Sequence, residues 1–573
     1  MSPASALVRP VVVALAIALL APAGAVAAWL DPVDLSAASQ DPSGAEVAVD
    51  ARGNAVAVWA AEQGKGFAVQ AASRTPGGAW QAPIAISATT LSAPNPQVAI
   101  DAQGNAVAVW TRRTDRDYLA IVQSASRPLA GRWQKPVDLS AAGHHAVIPH
   151  VAVDPRGNAV AVWQRFRSRF VIAVQAATRP PAGRWQAPVE VSASGEGSSV
   201  VPHVAIGANG DAVAVWEDLT TGGIRGAARP AGGPWQPPAA ISAPGAVAST
   251  VFHGVPQVAV DARGNAVAVW HRPTAAGAIV QAAERAVGTS WSAPVTLSAP
   301  GQDASSANVA VDPAGNAVAV WERATAAGIA TTFTAQAAVR AAGATWQAPV
   351  DLSIASEQPT EPHVAVDAGG TAVAVWAVES VTGPSEGVQA AVRAAGGPWQ
   401  RPATIVALGA RSSALSPRVA LGAEGNAVAV WVQDVRTRHP AEGYGGFVVR
   451  SADFGPPRPR AEATVAKLRL SPSTFRAGRT VRSVPPRATR VGYTLDIAAG
   501  VRFTVQRVSG GRAVRVRGSF TRRRPAGADR FFFNGDIANI GALLAPGRYR
   551  LVATPIVAGR PGAAVRAPFR IVR

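Results

Sequence analysis

The stretch VAVDARGNAVAVW spans residues 47–59, and the same thirteen letters return unchanged at 258–270. Six close variants accompany them: VAIDAQGNAVAVW, VAVDPRGNAVAVW, VAIGANGDAVAVW, VAVDPAGNAVAVW, VAVDAGGTAVAVW and VALGAEGNAVAVW. The eight copies end on Trp59, Trp110, Trp163, Trp216, Trp270, Trp321, Trp376 and Trp431, at intervals of 51 to 55 residues. A second motif, typically WQAPVDLS, begins at Trp29, Trp80, Trp133, Trp185, Trp235, Trp291, Trp346 and Trp399, and the two sets account for all 16 Trp. A fixed period of about fifty residues marks a repeat architecture, which is how a stretch of over 400 residues within the 573 can build one body.

Each unit reads as four short strands. VAVD and NAVAVW are β-branched runs on either side of a Gly-containing turn, which is hairpin grammar. VQAASR (69–74), a Pro-Gly-Gly turn and WQAPIAIS (80–87) follow. Four antiparallel strands per unit, eight times over, predict an all-β chain folded as an eight-bladed β-propeller. In AVAVW the pleat puts Ala55, Ala57 and Trp59 on one face and Val56 and Val58 on the other. Small Ala residues let blades approach, and a Trp fills the gap as they diverge, so the eight terminal tryptophans read as blade packing. The eighth unit lacks a WQ-type strand, whereas WLDPVDLS (29–36) stands alone ahead of the first unit. The N-terminal segment is therefore expected to close the ring as the outermost strand of blade eight.

The repeated Asp is a turn residue on this reading. Asp50 can hydrogen-bond the amides of its own turn, and Gly53 supplies a conformation that other residues resist. Two copies replace the Asp with Gly207 or Gly422, and the Asn becomes Asp211 in the first of these and Thr371 in another. A catalytic or metal position would not be scattered over eight turns with such substitutions.

Outside the repeats, Arg9 and the apolar run 11–25 ahead of Ala25-Val26-Ala27 read as a signal peptide over residues 1–27, too short and interrupted for a membrane span. The propeller is expected over 28–454, a Pro-rich linker over 455–463 and an independent β-sandwich over 464–573. LAPGRY (544–549) looks like the tyrosine corner of immunoglobulin and fibronectin type III-like domains, with Tyr549 reaching back to upstream backbone. The net charge of +19 belongs to this end: from Pro457 onward 24 Arg and Lys face only Glu462, Asp496, Asp529 and Asp536. Only three residues are Lys against 51 Arg, the skew of a GC-rich bacterial genome, and with no Cys there are no disulfides or thiolate sites.

The repeated Asp, Gly and Trp over residues 29–454 resemble the Asp-box, or BNR-like, propellers of secreted bacterial proteins, the superfamily that includes sialidases. The usual pattern there is closer to S-x-D-x-G-x-T-W, so the resemblance implies architecture and not activity. A sialidase-type glycosidase needs a Tyr nucleophile beside an Arg cluster, and only Tyr118 and Tyr444 lie in the repeats. GPSEG (383–387) matches G-x-S-x-G outside its strand–turn–helix context and reads as chance. No Walker loop, HExxH or dinucleotide fingerprint occurs.

The strand order sends the uniform A–B and C–D turns to one face and the variable B–C and D–A loops to the other, where repeat folds place binding. RRTDRDY (112–118), RFRSRF (165–170) and VRTRHPAEGYGGF (435–447) are such loops. The residue just ahead of each innermost strand is Glu46, Gln97, His150, His203, Gln257, Asn308, His363 or Arg418. All eight are polar, and they are expected to ring the mouth of the central channel. No metal and no cofactor are expected. The chain is thus expected to be an exported, monomeric, non-enzymatic scaffold, secreted or wall-associated. Its expected partner is a glycan, an anionic cell-wall polymer or a protein, with no sequence-specific nucleic acid and no transmembrane segment. An Asp-box glycosidase-like hydrolase with a channel-mouth site is the alternative.

Overall fold

A computed structural model describes residues 28–572 except 93, 114–118, 169–170, 193–196, 245–255, 328–329, 355–356, 380–385, 409–411, 436–445, 456–463, 478–487, 496–498, 517, 525–526, 536–542 and 558–559. The expected signal peptide, almost all of the expected linker, Tyr118, Tyr444 and the tips of the three Arg-rich loops therefore lie outside the described residues. Among those described there is no α-helix, and none that could cross a membrane.

Seven four-stranded antiparallel sheets follow one another along the chain. The first is built from Ser43–Val49, Ala55–Gln63, Gly66–Arg74 and Ile84–Ala85, here called strands A to D. An eighth sheet takes A, B and C from Ala414–Leu421, Ala427–Asp434 and Phe447–Gly455, and its outer edge is filled by Ala28–Trp29 and Val33–Asp34. Ala28 pairs with Gly455 and Trp29 with Phe454, and farther along Val33 pairs with Ser451. Ser36 Oγ accepts a hydrogen bond from the Val449 amide at 2.8 Å. Each A strand touches the A strands of both neighbours, and that of the eighth sheet touches that of the first, so the sheets form a closed ring. This is the arrangement of a β-propeller.

The packing follows from the Ala/Val alternation of strand B. Ala106, Ala108 and Trp110 of the second sheet cluster with Val56 and Val58 of the first. Val428 and Val430 of the eighth cluster with Ala55, Ala57 and Trp59 of the first, so the pattern returns to its origin. At every seam an Ala/Trp face meets a Val face. All eight strand-B tryptophans are fully buried, and the outer set, Trp29, Trp80, Trp133, Trp185, Trp235, Trp291, Trp346 and Trp399, packs against the same clusters from outside. At the closing seam Arg74 forms a bidentate pair with Asp453, and Trp80 Nε1 donates to Ser451 Oγ at 2.9 Å.

Turn chemistry fixes the opposite face. Asp50 Oδ1 accepts from the amides of Arg52 and Asn54, while Asn54 Nδ2 donates to Asp50 Oδ2 at 2.7 Å. Where Gly207 replaces the Asp, Asn209 and Asp211 bond each other instead. One expectation fails in extent: the WQAPIAIS-type strand is mostly two residues long. Its Pro cannot donate to a ladder, so the segment follows strand C through single bonds such as Gln81 N–H to Ser73 O.

Residues from Val465 to Val572 form a three-stranded and a seven-stranded sheet around one cluster that includes Val491, Phe503, Leu551 and Phe569. Tyr549 Oη donates to the Ala545 carbonyl at 2.7 Å.

Candidate functional site

The eight polar residues of the ring converge. Glu46, Gln97, His150, His203, Gln257, Asn308, His363 and Arg418, one from each sheet, line a single cavity of about 570 Å³. They do not stand ahead of strand A as the sequence pattern implied. In most sheets strand A begins earlier, and the polar residue follows a break in register, as between Val147 and His150 or Thr360 and His363.

The break is a bulge with an unusual backbone. Two residues before the polar one, the chain turns left-handed at Gly44, Asn95, Ile148, Val201, Ser306, Glu361 and Ser416, with φ between 49° and 61°. The eighth equivalent, residue 255, lies outside the described residues. For β-branched Ile148 and Val201 this conformation is sterically costly, on the order of 1–3 kcal/mol each. Bulges re-aim side chains, and Pro96, Pro149, Pro202, Pro362 and Pro417 sit between the left-handed residue and the polar one, where no ladder donor is needed.

Five of the aimed side chains, those of His150, His203, Asn308, His363 and Arg418, are tied to the next sheet. His150 Nδ1 accepts from the Val204 amide at 3.4 Å, His203 Nδ1 from Val258 at 3.5 Å and His363 Nδ1 from Val419 at 3.4 Å. Asn308 Oδ1 accepts from Val364 at 3.1 Å in the same manner. With Nδ1 acting as acceptor, the proton of a neutral imidazole resides on Nε2. The imidazoles are held neutral. Burial lowers the pKa of His150 to about 4, slightly offset by its backbone bond. Burial and then the Arg418 charge lower that of His363 to about 3. His203 is pushed well below its usual value by burial, with His150 and His363 adding to the effect. The His150 and His203 rings lie 3.7 Å apart between centroids, inclined by 37°. Across the closing seam Arg418 Nε meets Glu46 Oε1 at 3.1 Å, and Gln97 Nε2 donates to the same oxygen at 3.4 Å. Burial nonetheless raises the Glu46 pKa.

A second tier was not anticipated from sequence. His271 and Glu322, each directly following a strand-B Trp, also line the cavity, as do Ser305, Ser306 and Glu361. Glu322 is buried, which raises its pKa; it accepts from the left-handed Glu361 amide and from Ser305 Oγ. The position after Trp is Ala60, Thr111, Gln164, Glu217, His271, Glu322, Ala377 and Val432, a second variable column that the repeat itself displays. No group of three or more His, Asp or Glu arranged to hold a metal ion occurs among the described residues.

No protein-family model matches this chain, and no curated protein does. Among solved structures it is similar to a lectin from Burkholderia pseudomallei, at 17% identity over 64% of this chain and 99% of that one, with a TM-score of 0.44. It is also similar to an α-L-arabinanase from Penicillium chrysogenum, at 14% identity over 53% and 92%, TM-score 0.33. The β-propeller domain of a trilobed protease from Pyrococcus furiosus is similar at 9% identity over 60% and 88%, TM-score 0.35. Likeness this distant says nothing of what the present chain binds.

Proposed function

We propose that the protein is an exported, non-enzymatic binding scaffold that takes a hydroxyl-rich, uncharged ligand, a glycan, at the channel mouth. One observation carries this reading: eight polar side chains, six of them set by a bulge in their own strand A, converge on one cavity. The chemistry selects the ligand class. Three neutral imidazoles with Nε2 protons, the amides of Gln97, Gln257 and Asn308, and an internally compensated Arg418–Glu46 pair form a mixed set of donors and acceptors. Sugar hydroxyls both donate and accept, and they suit such a set. An anion would meet the carboxylates of Glu322 and Glu361 on the same wall. Residues 1–27 act as the signal peptide on this reading, and 464–573 as an immunoglobulin-like sandwich that joins the propeller to the cell envelope.

A neutral-glycan array probed with the full chain tests the proposal. Binding to at least one oligosaccharide, lost in the His150→Ala/His203→Ala double variant, is the expected result. No binding, or binding indifferent to that change, overturns it. A second reading, glycoside hydrolysis, draws support from Glu322, a buried carboxyl of raised pKa whose neighbour Glu361 is exposed, since carboxyls in contrasting environments can divide acid and base roles. Turnover of chromogenic glycosides that disappears in Glu322→Gln would establish it in place of the first.

A further inference from the structure

The seven-stranded sheet of the C-terminal region has one face on the hydrophobic cluster and one in solvent. Val501, Phe503 and Val505, then Tyr549, Leu551 and Ala553, then Ala567, Phe569 and Ile571 point inward. Strand alternation sends Arg502, then Arg548 and Arg550, then Arg566 and Arg570 to the outer face. The flanking strands add Arg476 and Arg515, which sit beside Val572 and Gln506. All seven are exposed. The ion pair of this region among the described residues, Arg522 with Asp529, involves none of them.

We propose that this outer face is a docking surface for an acidic polysaccharide. Arg548 stands directly across from Arg570, and like charges placed so destabilise a sheet unless an anion lies between them. Guanidinium groups bind carboxylate and sulfate bidentately. Between the arginines the same face carries Thr474, Thr504, Gln506 and Thr554, which can hydrogen-bond hydroxyls. Acid groups interspersed with hydroxyls describe an acidic polysaccharide. Other polyanions fit less well. Among the described residues the exposed large hydrophobics of this region, Val514 and Phe532, lie off the face, which there offers neither wedges for a lipid surface nor stacking platforms for single-stranded nucleic acid. Among the described residues no helix or ribbon rises from it to enter a duplex groove.

The test measures binding of the full chain to heparin and to polygalacturonate, beside a DNA duplex and phosphatidylglycerol vesicles, at about 0.1 M salt. At least one polysaccharide is expected to bind more tightly than the duplex and the vesicles. The Arg548→Gln/Arg550→Gln/Arg570→Gln variant should bind it about tenfold more weakly, with a shallower salt dependence. Its melting temperature should not fall, because a repulsion has been removed. The His150→Ala/His203→Ala variant should bind the polysaccharide unchanged, which separates this surface from the channel mouth. Equal binding by the triple variant, loss in the histidine variant, or tighter binding to DNA or vesicles overturns the proposal.

Discussion

At the scale of single residues the channel mouth is a set of groups kept from their ordinary protonation. For His150 and His363 the folded state disfavours the charged imidazole, with pKa values of about 4 and about 3 against 6.5. The unfolded chain therefore binds protons first as the pH falls. Their contribution to stability is complete above pH 6.5 and is lost progressively down to the folded values. Glu46, Glu217 and Glu322, with raised pKa values, act in the opposite sense, stabilising as they protonate in the fold. Only a comparison with a variant isolates the imidazoles. Asn308 already makes in its sheet the bond that His363 makes in the next, so His150→Asn/His363→Asn keeps the acceptor and removes the titration. Urea unfolding followed from pH 7 to 4 should give that variant a shallower loss of stability than the parent. An identical slope would show that these imidazoles do not report the burial assigned to them.

The bulge is the element that sequence reading did not reach. Hairpins, blade faces and the closing strand were legible because each rests on a local rule repeated eight times: β-branched alternation, a Gly turn, a Trp at fixed spacing. The polar column ahead of VAV was legible as well, because it varies against a constant background. Its aim was not. Left-handed backbone is ordinarily signalled by Gly or Asn, yet here Ile148, Val201, Ser306, Glu361 and Ser416 adopt it, against their local preference. Gly44 and Asn95, at the same position in the first two sheets, are the copies in which the local signal survives. Val201→Gly should therefore be neutral or should stabilise the fold by about 1 kcal/mol, relief of strain offsetting lost chain stiffness. Val204→Gly, three residues on at a buried extended position, should cost about 2 kcal/mol or more. Chemical denaturation of the two variants side by side checks this, and equal losses would remove strain from the account of the site.

At the scale of the molecule the eight seams are one interface used repeatedly, a Val face against an Ala/Trp face, and such a head-to-tail surface must either close on itself or leave an open end. Closure here depends on residues from the start of the chain. Without residues 28–36, the strand Phe447–Gly455 would present an unpaired edge, and the buried Leu35 and Trp29 contacts would vanish. Such a chain should lose at least about 4 kcal/mol and self-associate through that edge, as thermal unfolding and sedimentation would register. An unaltered melting temperature would show that the clasp is ornamental. The charge pattern was legible at this scale from counting alone, but the gathering of seven of its arginines on one sheet face emerged only from strand register.

The pairing of Ala28 with Gly455 also sets an order of events during synthesis. Ala28–Trp29 precedes all eight blades in the chain and is the last to find its partner, because 426 residues lie between Ala28 and Gly455. At about 5–20 residues per second, the N-terminal segment waits on the order of tens of seconds while seven complete blades emerge behind it. Throughout that interval the Ala/Trp face of the first blade is exposed, and the Val face of each newly finished blade is covered only when its successor appears. A growing ring of this kind keeps one face of each sort uncovered from its first finished blade to its last, so the nascent chain needs protection until the ring shuts.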